Sequence, residues 1–532
     1  MTSPLVRVYN AIDALVDYAV DYLALDPRDT IWKRNQIFEI FGFNSYGSPE
    51  LQEDIADDEA GATAEFADLE LVGNGKDMLA DAEEDLSENT ETSPVNALLA
   101  EFKGALEEAQ LLEVGAWGAV ADQVMGMLSL SPSAVQDLFS EVKHAQSGAS
   151  AMQWFYDYCV SNDYVKRAQL AANPRFTAEN GLIVTINLAK PEFKDTKKAA
   201  AGNAVAGGYP KCTICPENEG FAGRDKRTLR TVPVTLGGQD WFWQYSPYGY
   251  FDQHGICVNT AHTPMHVDRG TFTRLLDFVD EFPNYFLGSN AALPRIGGSV
   301  LAHDHYQGGG EILPMLKADA WVTLRHPDFS DAIVEVLDWP GTAVRIVSEN
   351  RDSIIGLGDI IRVAWEEYRN SDLGIINYSE AEGKHSVVSP TAIKTDRGYE
   401  MNIIFRNNVV TEEYPEGLFH AHPEFHPIKQ ESIGLIEAQG LFILPGRLVN
   451  QLKRIADALA AGESLPAELS EFQLVWDELV DSLNGVRDRE VIDAALREEL
   501  GSICYRILEN TAVFKDKEIT KRFLADLNII PN

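Results

Sequence analysis

A chain of 532 residues, 45% hydrophobic and 24% charged, carries enough apolar material for a large core divided among two to four structural units. Its 44 Lys and Arg against 82 Asp and Glu leave a formal charge of −38, which excludes broad binding to nucleic acid or anionic membranes. An anionic substrate must therefore meet a local reversal of that field. Five cysteines, an odd and sparse count, argue against a disulfide framework and suit a reducing compartment. The N-terminus lacks a charged segment followed by an apolar one, and no apolar run approaches a membrane span, so a cytoplasmic protein is expected.

The first 165 residues read as helical. Val6, Ile12, Leu15, Val16, Ala19 and Leu23 fall on one 3.6-residue stripe, and positions 31–41 continue the pattern. Positions 50–91 hold sixteen Asp or Glu against one base, Lys76, the composition of a solvated face or insertion. Helical periodicity resumes at 95–112, 116–128 and 133–144. Near Asn173 the texture changes. Positions 181–188 are β-branched and apolar and predict a strand. Positions 194–208, rich in Lys, Ala and Gly, predict a loop. Strands are predicted at 228–236, 241–245, 255–259 and 285–289, with a helix at 269–282. A second β-rich stretch follows, with strands at 320–324, 342–347, 375–378 and 400–405 around a helix at 353–368. From 433 the chain reads as helical, through 449–461, 466–483 and 488–507. These textures divide the chain into a helical region (1–165), two α+β segments (166–320 and 321–445) and C-terminal helices (446–532).

Two motifs carry chemistry. Cys212-Thr-Ile-Cys215 is a knuckle whose spacing lets two thiolates share one tetrahedral metal, although buried or redox cysteines fit the same pattern. With no second such pair, further ligands must be histidines, and His254, His262, His266 and His303 are the candidates. The second motif is Gly297-Gly298-Ser299 leading into His303-Asp-His305-Tyr-Gln307-Gly-Gly. On a strand His303, His305 and Gln307 share one face, so one imidazole can attack while the other binds metal or orients the loop. Structural histidines remain an alternative. The glycines allow close approach of backbone N–H groups to phosphate oxygens, and Gln307 can hydrogen-bond an attacked phosphate. The pattern points to nucleotidyl or phosphoryl transfer. It is not a Walker loop, because no Gly-Lys-Ser/Thr follows.

With these motifs in place, the chain resembles the galactose-1-phosphate uridylyltransferase family, in its second class. The likeness runs through Lys33-Arg-Asn-Gln36, 186–192, Tyr209-Pro-Lys-Cys212, Glu217 to Arg224, Gln244 to Tyr248, His262-Thr-Pro-Met265, Gly288-Ser-Asn-Ala291, 297–309, Pro415 to His420 and Ile433 to Glu437. The resemblance implies an α+β fold of two histidine-triad-like halves flanked by helices. It also implies a double displacement in which His305 takes uridylyl from UDP-glucose and hands it to galactose 1-phosphate. Gln307 matches the amide on the transferred phosphoryl group, and Asn290, Gly298 and Ser299 match nucleotide or phosphate contacts. By position the metal ligands of the family's first class correspond to Cys212, Cys215, His262 and His303, a structural zinc site. Asp304 and Tyr306 depart from the proline and glycine of that first-class motif, which leaves metal use open.

Arg224 and Lys429 are candidate contacts for substrate phosphates; Lys226, Arg227 and Arg230 offer further local positive charge for the sugar phosphates but read first as exposed solubility residues. His420, His422 and His426 resemble a segment able to ligate a second metal, or contact the hexose phosphate. A homodimer is expected, with no organic cofactor and no nucleic-acid or membrane partner. The alternatives are a histidine-triad transferase or hydrolase using another nucleotide, and a nucleotide-sugar-binding protein without turnover.

Overall fold

The computed structural model describes residues 4–46, 94–188, 208–247, 249–297 and 300–531. The acidic segment at 50–91, most of the loop predicted at 194–208, and both Gly298 and Ser299 lie outside the described residues. The chain divides into two compact units, residues 1–130 with 161–163, and residues 131–160 with 164–532.

The first unit is helical, as its periodicity predicts: α1 (Pro4–Tyr22), α2 (Thr30–Phe41), α3 (Pro94–Glu108) and α4 (Trp117–Leu128). α1 buries Val8, Ile12, Leu15, Val16 and Ala19 and packs on α3.

The second unit opens with α5 (Pro132–Ala145), capped by the Ser131 hydroxyl on the Ala134 N–H, then α6 (Gly148–Ser161) and the short α7 (Arg167–Ala171). A three-stranded sheet pairs β1 (Arg175–Thr177) with β2 (Ile183–Asn187). Next come β3 (Val232–Leu236), β4 (Gln239–Tyr245), β5 (Gly255–Asn259), α8 (Arg269–Glu281), β6 (Phe286–Gly288) and β7 (His305–Gly309). The same order of elements then repeats as β8 (Ala320–Leu324), β9 (Ile333–Leu337), β10 (Ala343–Ser348) and α9 (Arg351–Glu367). After the small hairpin β11 (Tyr378–Ser379) and β12 (Gly383–Lys384) come β13 (Ser386–Thr395) and β14 (Gly398–Asn407).

The ten long strands form one sheet in the order β3-β4-β5-β7-β6-β13-β14-β10-β9-β8. The order reads the same from either end: each half is five strands with one helix inserted after its third, and the halves join where β6 pairs β13. Cross-strand partners share a face, so one transverse row can be followed through Ile256, Gln307, Gly288, Thr391, Asn402, Arg345 and Glu335. Asn402 thus holds in the second half the place of Gln307 in the first, and Glu400 that of His305. There the second half carries an ion network. Buried Arg345 donates to Asn402 Oδ1 at 3.0 Å and lies 3.3 Å from both Glu335 and Glu400. The two halves share a scaffold, but only one carries a nucleophile there.

α8 and α9 cover one face of the sheet. Asp268 caps α8 on the Thr271 N–H, and Phe272, Leu275, Leu276, Phe278 and Val279 are buried. In α9, Trp365 is buried and its indole N–H reaches the carbonyls of Val387 and Arg406. The opposite face, which carries Phe286, Ile393 and Ile404, joins a large cluster with β2, β15 (Leu441–Pro445) and the C-terminal helices. Those helices are α11 (Arg447–Ala461), α12 (Gln473–Leu483), α13 (Arg489–Thr511) and α14 (Lys517–Ala525), preceded by α10 (Leu435–Ala438).

Several predictions of local structure need correction. The segment at 375–378 is mostly loop ending in the two-residue β11. β9, β13 and β15 are strands that periodicity does not announce. β15, an unbroken apolar run between helices, becomes a strand because β2 supplies a parallel partner. His303 lies ahead of β7, which begins at His305, so the two histidines do not share a strand face.

Gly308 shows how tightly the nucleophile's strand is seated: a Cβ there would stand 2.1 Å from the Phe286 carbonyl oxygen. Gly308→Ala is expected to cost about 1–3 kcal/mol through forced displacement of β6, read as a lower urea midpoint of unfolding.

Candidate active site

The site is built at the N-terminal end of β7. His305 is 5% exposed, and its Nδ1 stands 2.8 Å from the His303 carbonyl. A carbonyl only accepts, so Nδ1 carries the proton and Nε2 holds the free lone pair. Burial lowers the proton affinity of the ring below the usual histidine value, opposed by that backbone bond. A neutral imidazole with a defined lone pair is a nucleophile ready to use.

His303 turns the other way. Its Nε2 lies 2.7 Å from the Asn259 carbonyl, so the proton sits there and Nδ1 faces the cysteines. Cys212 Sγ is 3.3 Å and Cys215 Sγ 3.6 Å from that Nδ1; the two sulfurs are 3.1 Å apart, and Cys215 Sγ is 3.1 Å from His262 Nδ1. The four ligand atoms all lie within 4.8 Å of one another. A tetrahedral site with two sulfurs near 2.3 Å and two nitrogens near 2.0 Å has edges of about 3.3–3.8 Å. The four residues fit a zinc-type ion. Of the four candidate histidines, the fold selects His262 and His303. His266 instead lies 3.7 Å from the Asp304 carboxylate, and His254 goes to Gln307.

The knuckle has its own supports. Asn218 donates from Nδ2 to the carbonyls of Cys212 and Cys215, at 2.9 and 2.8 Å, and Arg224 donates to Asn218 Oδ1 at 3.0 Å. Arg224 is thus tied to the knuckle. Lys226 donates to the Thr213 carbonyl, and burial lowers its pKa to about 8; Arg230 is buried and donates to the Arg227 and Leu229 carbonyls. Neither is the exposed solubility residue expected from sequence. Asn218 was not singled out in the sequence, although an Asn three positions after the second cysteine is a signal for such a bracket.

Gln307, on the same strand face as His305, presents its amide beside His254, with Oε1 3.4 Å from His254 Nε2. Asn290 lies two residues beyond the end of β6. Its Oδ1 accepts from the Leu435 N–H at 3.1 Å, while its buried Nδ2 has no hydrogen-bond partner among the described residues. Lys429 is placed differently from a phosphate contact. It is 1% exposed, paired with Glu431 and Glu437, and donates to the Ile443 carbonyl. Two carboxylates neutralise its charge inside the fold. The ring nitrogens of His420, His422 and His426 each bond a backbone carbonyl, at 3.2, 3.2 and 3.1 Å, and among the described residues the Cys212–His303 group alone has metal-ligand geometry.

Comparison with known proteins adds the family. The N-terminal domain of galactose-1-phosphate uridyl transferase matches residues 108–264, and the C-terminal domain matches 278–474. A galactose-1-phosphate uridylyltransferase of Bifidobacterium longum is 60% identical over 529 residues, covering 99% of both chains. That of Lactococcus lactis (strain IL1403) is 32% identical, over 99% of this chain and 100% of its own. Among solved structures, yeast Ap4A phosphorylase Apa2 aligns with 56% of this chain and 88% of its own at 10% identity and a TM-score of 0.28, too slight a likeness to argue from. With identity this high over its whole length and both domains matched, the chain belongs to the galactose-1-phosphate uridylyltransferase family of nucleotidyltransferases.

Proposed function

We propose that this chain moves uridylyl from UDP-glucose to galactose 1-phosphate in two displacements at His305. The observation that carries the reading is the 2.8 Å bond from His305 Nδ1 to the His303 carbonyl, which leaves Nε2 as the nucleophile. The Nε2 lone pair forms a bond to the α-phosphorus of UDP-glucose as the bond to the bridging oxygen breaks and glucose 1-phosphate leaves. A phosphate oxygen of galactose 1-phosphate then attacks the same phosphorus, the P–N bond breaks, and UDP-galactose departs. Each leaving group is stable, so the protein's work is positioning and charge stabilisation. Gln307 donates to the transferred phosphoryl group, and Asn290, whose Nδ2 has no partner among the described residues, contacts the substrate alongside Gly298 and Ser299. The division of labour follows the segments 166–320, which bears the nucleophile, and 321–445.

Cys212, Cys215, His262 and His303 would hold zinc, whose contribution is structural: it fixes the His303 backbone whose carbonyl orients His305. No described helix is long and apolar enough to cross a membrane. Five cysteines, none of them in a disulfide, support placement in the reducing cytoplasm. The assembly is a homodimer, which sedimentation of the purified protein tests.

UDP-glucose alone is expected to release one glucose 1-phosphate per site and to leave a uridylyl mass increment on His305. Continuous release without retained mass would make the protein a hydrolase, and no release would make it a binder.

A further inference from the structure

His254 stands just ahead of β5, is 5% exposed, and has no part in the metal group. Its ring stacks on Tyr250 with centroids 4.9 Å apart at 26°, and packs on Phe251 at 4.7 Å. The backbone is held at both ends: its N–H donates to the Phe251 carbonyl at 3.2 Å, and its carbonyl accepts from Ser246 at 2.9 Å. The aromatic neighbours thus fix the plane of the ring. Nε2 faces Gln307 Oε1 at 3.4 Å, and Nδ1 is buried with no hydrogen-bond partner among the described residues.

These two nitrogens decide a tautomer. A proton on Nδ1 would bury an unpaired donor, whereas a bare lone pair there costs less, and the proton on Nε2 gains an acceptor. Burial also lowers the ring's pKa to about 4, which keeps it neutral. A neutral ring with its proton on Nε2 accepts nothing at that atom. It therefore selects one of the two flips of the Gln307 amide.

We propose that His254 is a positioning residue that pins the carboxamide oxygen of Gln307 and so aims its NH2 group at the phosphoryl oxygen under attack. The proposal rests on the reading of His305 and Gln307 given above. The flipped amide would present an oxygen to a phosphorus centre gathering negative charge, and repulsion would replace a hydrogen bond. The ring touches neither substrate nor reacting atoms; it acts through Gln307.

His254→Phe keeps the stack and volume but removes the donor. It is expected to lower kcat by about tenfold to a hundredfold while KM for UDP-glucose stays within about twofold. His254→Gln, whose amide nitrogen falls near the place of Nε2, is expected to recover most of the loss. In a Gln307→Ala background, His254→Phe should slow the enzyme no further, because the group it positions is gone. If His254→Phe proves unstable to heat, His254→Met carries the same expectations.

Wild-type kcat in His254→Phe, with Gln307→Ala slow, would overturn the proposal alone, as would an equal slowing in both backgrounds. Full activity in Gln307→Ala would overturn the assignment of Gln307 and this proposal with it.

Discussion

His305→Ala is expected to lower uridylyl transfer by at least about 10⁴-fold, because among the described residues His305 is the one imidazole at the start of β7 with an uncommitted lone pair. Asp304 is buried and contacts His266, and His303 turns its lone pair to the sulfurs, so neither neighbour can substitute. The variant should still bind UDP-glucose, since removing the ring leaves the rest of the site in place. The measurement is twofold: steady-state transfer, and mass spectrometry after incubation with UDP-glucose. Loss of the uridylyl increment together with turnover is the expected result. Transfer at the full rate would show that the chemistry proceeds through a ternary complex or another residue. His305→Asn makes a sharper control, because its amide fills part of the space but cannot attack phosphorus as a neutral imidazole does.

Cys212→Ser is expected to abolish binding of one zinc equivalent and to lower kcat about tenfold to a hundredfold. The apolar packing around the knuckle is small. Cys212, Cys215 and Val300 form an isolated cluster with Ile214 beside it, too little to hold a loop without ligation. Loss of the ion frees His303, whose carbonyl sets the tautomer of His305. Elemental analysis reads the metal, and limited proteolysis within 209–221 reads the loosened loop. The two effects should appear together. Loss of metal with kcat and proteolysis unchanged would separate the knuckle from the nucleophile.

The elements most legible in the sequence are those whose own side chains settle the matter. The stripe from Val6 to Leu23 becomes α1, the run at 255–259 becomes β5, and the stripe from Arg269 becomes α8. β9, β13 and β15 were not legible, because a strand buried on both faces lacks an apolar–polar alternation; β13 is buried at eight of its ten positions, Ser386, Ser389 and Thr391 among them. The candidate site divides similarly. Cys212, Cys215, His305 and Gln307 are marked by their spacing. The role of His254 is not, because its partner Gln307 lies far along the chain, whereas Asn218 brackets its near neighbours Cys212 and Cys215. Lys429, by contrast, reads as a phosphate contact until the fold encloses it with Glu431 and Glu437.

By itself the sequence determined the chemistry available to this protein: a histidine pair two residues apart, an amide two residues beyond the second histidine, and a thiolate knuckle, each set by covalent spacing. The tertiary structure decided the use of each group. Of four histidines able to complete the metal group, strand pairing brings His262 and His303 to the cysteines and leaves His254 to the amide. The tautomer of His303, and with it its place among the ligands, depends on the Asn259 carbonyl of the distant strand β5, and local periodicity does not encode which strands become neighbours.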